Sequence, residues 1–475
     1  MSHGALLGIA AAGVGLLLLL ILRGKVQPFV ALVVVSIGVA LAAGVPAADL
    51  VKTVEEGMGA TLGHIATIIA LGAMIGRVIE LSGGAHAFAH SLIDRFGARR
   101  TPFALTVAGF VLGIPVFFEV GLIILMPIAY GVARASRKPL LVYALPMGAA
   151  MLTVHAFLPP HPGAVAGIEA IGASQGLVLL MGIPLTAAVV VLGYFVSRRM
   201  TRREYPMDPA VRAEVYEADS GGSGAGSTPV RAGDGHGTAV LTEPSAVDTD
   251  VPPPSFGMVL ALIVTPILLI LLGTIGENVL AEGSTLRAVL TVLGAPMVAL
   301  LIDVALCGWL LGARRGWDRA RVAEVMGSAL PPVAMVILVA GAGGVFGKVL
   351  VASGIGDAIA DVLERTGLPA LFLAFLTALA LRAAQGSATV ALITTAGILT
   401  PLLQRADLTT GQLSLVALSM GAGALTLSHI NDAGYWMFTR LAGLDVASGL
   451  RTWTVLTTVM GCAGFVLTVG LWVVV

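Results

Sequence analysis

Long apolar runs separated by short polar breaks make up most of this chain. They lie at about 5–22, 26–45, 59–81, 140–170, 176–197, 256–275, 286–312, 328–351, 412–439 and 452–474. A hydrocarbon core roughly 30 Å thick needs about 20 helical residues, so each run is a candidate span. None alternates apolar with polar residues as a membrane strand would, and the expected fold is an all-α polytopic membrane protein with about ten transmembrane helices. The first run has no basic segment before it and no small-residue cleavage site after it, so it reads as a span and not as a cleaved leader. Two of the runs, 140–170 and 412–439, are interrupted by polar residues. Two further apolar stretches, about 102–133 and 369–404, carry polar residues at their centres and need a separate account.

Composition agrees with the pattern. Hydrophobic residues make up 57% of the 475 and charged residues 11%, against about half and a quarter in soluble domains. With 27 basic and 27 acidic residues the chain is neutral overall, which implies no nucleic-acid partner and no polybasic lipid contact. The two cysteines, Cys307 and Cys462, stand alone in apolar runs. They read as small packing residues and carry no information on compartment. The only long polar segment, 198–254, includes "DSGGSGAGSTP" and "VPPPS". It is expected to be a disordered linker between membrane halves at 1–197 and 255–475. Placing the N-terminus outside and this linker in the cytoplasm puts most lysines and arginines on the inner side, as the positive-inside rule requires.

An internal repeat connects the two halves. "IALGAMIGRVIELSGGAHAFAHSLIDRFG" (69–97) aligns with "LVAGAGGVFGKVLVASGIGDAIADVLERTG" (338–367), matching Gly76-Arg77 with Gly347-Lys348 and Ser82-Gly83 with Ser353-Gly354. The chain is expected to cross an odd number of times between the starts of these units, which makes the repeats inverted, as in many secondary transporters.

The stretches 102–133 and 369–404 occupy equivalent places in the repeats. One holds Glu119 near its middle; the other holds Arg382 and then Gln385-Gly386-Ser387-Ala388-Thr389. Each is either a pair of short full spans or a re-entrant helical hairpin, and both forms return to the starting side. Arms of about 16 residues reach only ~24 Å at 1.5 Å per residue, which favours hairpins. A hairpin tip at mid-depth is tolerated only where it lines a polar cavity, so the tips are candidate binding sites. In the second tip Gly386 permits close approach of a ligand and Ser387 and Thr389 offer hydroxyls. The helix that restarts there presents free N–H groups and the positive end of its dipole, which suits an anion.

The interrupted runs form a second pair. "TVHAFLPPHPGAVA" (153–166) contains three prolines, each of which removes a helix donor, and "TLSHINDAGYW" (426–436) contains turn-favouring Asn, Asp and Gly. Both are expected to be broken helices. The breaks would carry His155, His161, His429, Asn431 and Asp432 to mid-depth, where ionisable residues are costly and point to function. Asp303 also lies within a span, but it has no polar neighbour in sequence and reads as a packing or pairing residue.

In "GIPVFFEVG", "HAFLPPHPG", "RAAQGSATVA" and "SHINDAGYW" the sequence resembles the gluconate permease (gluconate:proton symporter) family of the ion-transporter superfamily. The likeness covers nearly all of the chain outside the linker. It implies a transporter of the bacterial inner membrane, not an enzyme, that imports a small anionic sugar acid with protons and requires no cofactor. Its partners would be substrate, protons and lipid, with a homodimer as an open assembly. On this reading Gln385, Gly386, Ser387, Thr389, His155, His161, His429 and Asn431 bind substrate, and Glu119 and Asp432 couple protons. Three alternatives stand beside it: a sodium-coupled carboxylate transporter, a channel, and an intramembrane metalloenzyme built on the histidines and Asp432. The six-residue, proline-filled spacing of His155 and His161 fixes no shared helix face, which weakens the last of these.

Overall fold

The structure is a computed structural model, and it describes residues 1–97, 99–216, 252–355, 358, 369–430 and 432–474. Its regular elements are helical, and among the described residues nine helices are long and apolar enough to cross a membrane. The most buried lie at the centre: in Leu141–Phe157 every residue but Val142 is buried. Peripheral helices such as Phe256–Val279 leave large apolar side chains exposed, including Leu268 and Leu272, as a lipid-facing surface should.

Small residues bring the central helices together. The 35-residue helix Ala47–Leu81 packs along Leu330–Ala352, where Gly57 lies against the backbone of Gly344 and Val345 and Gly341 lies against Met58 and Leu62. Backbones that close gain dispersion contacts, which drive helix association where lipid is as apolar as the side chains. These two helices carry the matched repeat segments, and they end alike. Ser82 and Ser353 take helical dihedrals and their hydroxyls bond back to Ile79 and Leu350, while Gly83 and Gly354 turn the chain at φ 74° and 71°. Only glycine adopts that left-handed conformation without penalty, so the shared Ser-Gly pair is a shared helix stop.

Both polar-centred stretches are helix–turn–helix units. The first hairpin comprises Thr101–Leu112 and Phe118–Ser136 with a tip at 113–117; the second comprises Ala370–Gln385 and Ala388–Leu403 with its tip at Gly386 and Ser387. Both expected breaks are present as well. The first broken helix is Leu141–Phe157 followed by Pro162–Ala170, and the second is Thr410–Leu425 followed by Ala433–Leu441.

Four segments differ from the sequence expectation, the first being the run at 59–81, whose helix already begins at Ala47. The run at 286–312 is not one helix but Thr285–Gly294 and Pro296–Cys307, because Pro296 drives the residue before it, Ala295, to extended dihedrals (φ −58°, ψ 125°). The last span starts earlier than 452, at Val446, and runs to Trp472 through a π-turn at Leu450–Thr454. The segment expected to be a disordered linker lies outside the described residues at 217–251, but its first part is ordered. Pro209–Tyr216 is a helix, with Tyr216 Oη accepting from Leu140 N and donating to Lys138 O, and Arg134 Nε donating to Val215 O. Met207 pairs with Leu444 beyond the second broken helix.

Candidate functional site

The centre of the site is Arg382, in the last turn of the first arm of the second hairpin and 1% exposed. Gly386 ends that arm at φ 82°, a left-handed conformation that turns its carbonyl back to accept from Arg382 Nη1. Arg382 Nη2 donates to Asp432 Oδ2, so a buried ion pair ties the second hairpin to the second broken helix. Asp432 sits at the N-terminus of the helix that restarts after the break, and its Oδ1 accepts from Gly434 N at 2.9 Å. Ser428 Oγ donates to Asp432 Oδ2. Every carboxylate oxygen is thereby engaged, which a buried charge requires.

Ser428 is held in turn by the π-turn of the C-terminal helix. Trp453 Nε1 donates to Ser428 Oγ at 2.8 Å and Thr454 Oγ1 donates to Ser428 O at 2.6 Å. The inserted residue of a π-turn lets two successive side chains reach one partner, a use common at functional sites. His429 lies beside the same last turn of the hairpin arm that carries Arg382, with Nε2 3.1 Å from Ala383 O.

The first half contributes from the opposite side. Glu119 lies in the first turn of Phe118–Ser136, where the helix dipole favours a carboxylate, and it is within coulombic range of both Asp432 and Arg382. Its carboxylate takes a hydrogen bond from its own backbone N–H, and no side-chain donor is found for it among the described residues. Phe118, its neighbour, contacts Gly434 of the second broken helix. His155 ends the first half of its broken helix, and His161 precedes Pro162 at the start of the second half. Their rings touch, with centroids 3.2 Å apart, and they stand edge-on to Phe118 and Phe117. His155 is within coulombic range of Arg382. Among the described residues, Nδ1 of His155, both ring nitrogens of His161 and Nε of Arg382 are buried and have no hydrogen-bond partner.

The second tip is arranged differently from a free hydroxyl cluster. Ser387 caps the restarting helix, its Oγ accepting from Val390 N at 3.3 Å, so its own hydrogen remains to be donated. Thr389 packs against Gly163 of the first broken helix, where a Cβ at Gly163 would meet Thr389 Cα at 2.9 Å. Each hairpin thus abuts the broken helix of the other half. Asn431 lies outside the described residues, and of the Gln385 side chain nothing is described.

Of the sequence-expected residues, the structure gathers Glu119, His155, His161, Asp432, Gly386 and His429 around Arg382. Arg382 reads in sequence as a polar residue near a hairpin centre and, like Lys348, as a possible ion-pair partner for Glu119 or Asp432, not as the centre of the site, although a lone arginine in an apolar helix is the signal that could have promoted it. Ser428 and Trp453 carry no such signal, since their roles arise from the π-turn. Among the described residues no three His, Cys, Asp or Glu side chains converge as a metal site would need.

Paired hairpins against paired broken helices, with ionisable groups at their meeting point, define a polytopic membrane transporter. The chain belongs to the GntP family of permeases, whose family model matches residues 5–224 and 238–475. It is 46% identical to the inner membrane permease YgbN of Escherichia coli over 475 residues, covering all of both chains. The gluconate permease of Pseudomonas aeruginosa is 35% identical over 469 residues, 98% of this chain and 97% of that one. The fold is shared with the YdaH transporter of Alcanivorax borkumensis at a TM-score of 0.62 and 15% identity, covering 94% of this chain and 98% of the other.

Proposed function

We propose that the protein imports gluconate or a related sugar acid together with protons, by alternating access between two inverted repeats. The observation that carries this reading is the set of unspent buried polar groups around Arg382. Buried donors and acceptors are nearly always satisfied, so Arg382 Nε, His155 Nδ1 and both ring nitrogens of His161 belong to a site that a polar ligand completes. A sugar acid matches them in kind: its carboxylate suits Arg382 Nε and the N-terminus of Ala388–Leu403, and its hydroxyls suit the imidazoles, which both donate and accept.

Charge balance supports proton coupling. Arg382 is already neutralised by Asp432, so a monoanion arrives at a site with no free positive charge unless a proton comes with it. Glu119 is the carboxylate without a cationic partner at bonding distance, and it is the group we assign to that proton, with Asp432 nearer the substrate. The N-terminus outside and segment 198–254 in the cytoplasm belong to the same proposal.

Uptake of labelled gluconate by cells expressing the protein, competed with glycerate, idonate, fructuronate and citrate, tests the substrate class. Gluconate and idonate should compete and citrate should not, because a second and third carboxylate would enter without counter-charge. If citrate displaces gluconate as well as idonate does, the site is not built for a sugar monoacid.

Ser387→Ala is expected to weaken apparent gluconate affinity by roughly 2- to 12-fold, the ~0.5–1.5 kcal/mol of one hydroxyl bond, before maximal rate falls. Ser387→Gly separates binding from capping, since glycine caps within a few tenths of a kcal/mol of serine. It should show the same affinity loss with normal protein yield.

A further inference from the structure

Asp303 stands outside the site described above. It lies in Pro296–Cys307, is 0% exposed, and its Oδ1 has no hydrogen-bond partner among the described residues. Its Oδ2 has one weak donor, Cys307 Sγ at 3.9 Å, on its own helix. The side chain lines a cavity of about 20 Å³ with Gly72, Pro115, Pro159, Pro160 and Gln175. That is room for about one water. The helices packed against Asp303, Ala47–Leu81 and Phe256–Val279, place Gly72, Ile75, Ile263 and Pro266 around the cavity, and the first hairpin adds Ile114 and Pro115. None of these ionises, and among the described residues the one titratable group facing Asp303 is the Cys307 thiol.

A carboxylate ion in such surroundings has neither a cation nor a full water shell, whereas a carboxylic acid needs only one acceptor for its hydrogen. One water in the cavity would supply that acceptor. Gln175, which lines the cavity, donates through Nε2 to Glu169 Oε1 at 2.6 Å, and Glu169 is partly exposed, so this is the side of the cavity nearest to a carboxyl group in reach of solvent.

Adjacent residues of the same two segments face this cavity and the central site. In the tip of the first hairpin, Pro115 lines the cavity while Phe117 contacts His161 and Phe118 contacts His155. In the break of the first broken helix, Pro159 and Pro160 line the cavity between those two histidines in the chain. We propose that Asp303 is a second proton-binding site, loaded by water entering from the Glu169 side of the cavity, whose proton keeps the first hairpin seated over the cavity. An ionised Asp303 draws water into the cavity and lifts the tip, and so reports its charge to the histidines. This rests on the proton-coupled reading of the central site, but its first test needs no substrate.

Infrared difference spectra of the purified protein between acid and alkaline pH should contain a protonated-carboxyl C=O band that Asp303→Asn removes and Asp303→Glu shifts in frequency. In liposomes, reversal-potential measurements should give Asp303→Asn a proton-to-gluconate ratio one lower than the parent, with gluconate exchange at zero gradient retained. If Asp303→Asn folds poorly, the band shift in Asp303→Glu decides the first arm alone. A carboxyl band unchanged in both variants, or an unaltered ratio in Asp303→Asn, overturns the assignment. Failure of gluconate transport in the parent, with the Asp303 band present, would instead count against the substrate reading.

Discussion

Asp432→Asn and Arg382→Gln are each expected to abolish gluconate uptake and to lower the yield and melting temperature of the purified protein. Both residues are buried, and their ion pair joins the second hairpin to the second broken helix. Removing one partner leaves the other charge uncompensated in a medium of low dielectric, at a cost of about 3–5 kcal/mol. The double variant Arg382→Gln/Asp432→Asn restores neutrality, so it should recover much of the yield. It should not recover transport, because Arg382 Nε is the buried, unspent donor proposed to hold the substrate carboxylate. Thermal unfolding in detergent measures the first effect and uptake the second. Wild-type affinity in the double variant would show that the pair is purely structural.

Glu119→Gln separates coupling from binding. This carboxylate lies within range of the Arg382–Asp432 pair yet has no hydrogen bond from it, so its neutral amide should not disturb the fold. The variant should lose uphill accumulation and keep gluconate counterflow between preloaded vesicles and medium, because a permanently neutral carrier still shuttles when loaded. Full proton-driven accumulation by Glu119→Gln would end the assignment. Loss of counterflow together with loss of yield would mark Glu119 as structural.

The sequence showed where the helices break more clearly than what the breaks hold together. Prolines at 159, 160 and 162 and the Asn-Asp-Ala-Gly run after His429 interrupt apolar runs, and such signals are local. The hairpin tips were legible for the same reason, since Gly386 and Ser387 are a helix stop followed by a helix start. Tertiary choices were not. Asp432 could have paired with Lys348 as well as with Arg382, and only packing shows that Lys348 instead meets Glu56 at 3.1 Å. Trp453 reaches Ser428 through a π-turn, an irregularity with no composition of its own. Asp303 looked isolated because its cavity is assembled from five segments besides its own. The polar segment at 198–254 read as uniform, yet the residues that begin it fold onto Lys138 and Leu140 through one tyrosine hydroxyl.

The most direct test of the account is uptake of labelled gluconate by purified protein in liposomes under an inward proton gradient, with sodium absent from both sides. The account predicts accumulation above the outside concentration that collapses when a protonophore is added and is unaffected by a sodium gradient. Accumulation that needs sodium, or equilibration that never exceeds the outside concentration, would contradict it.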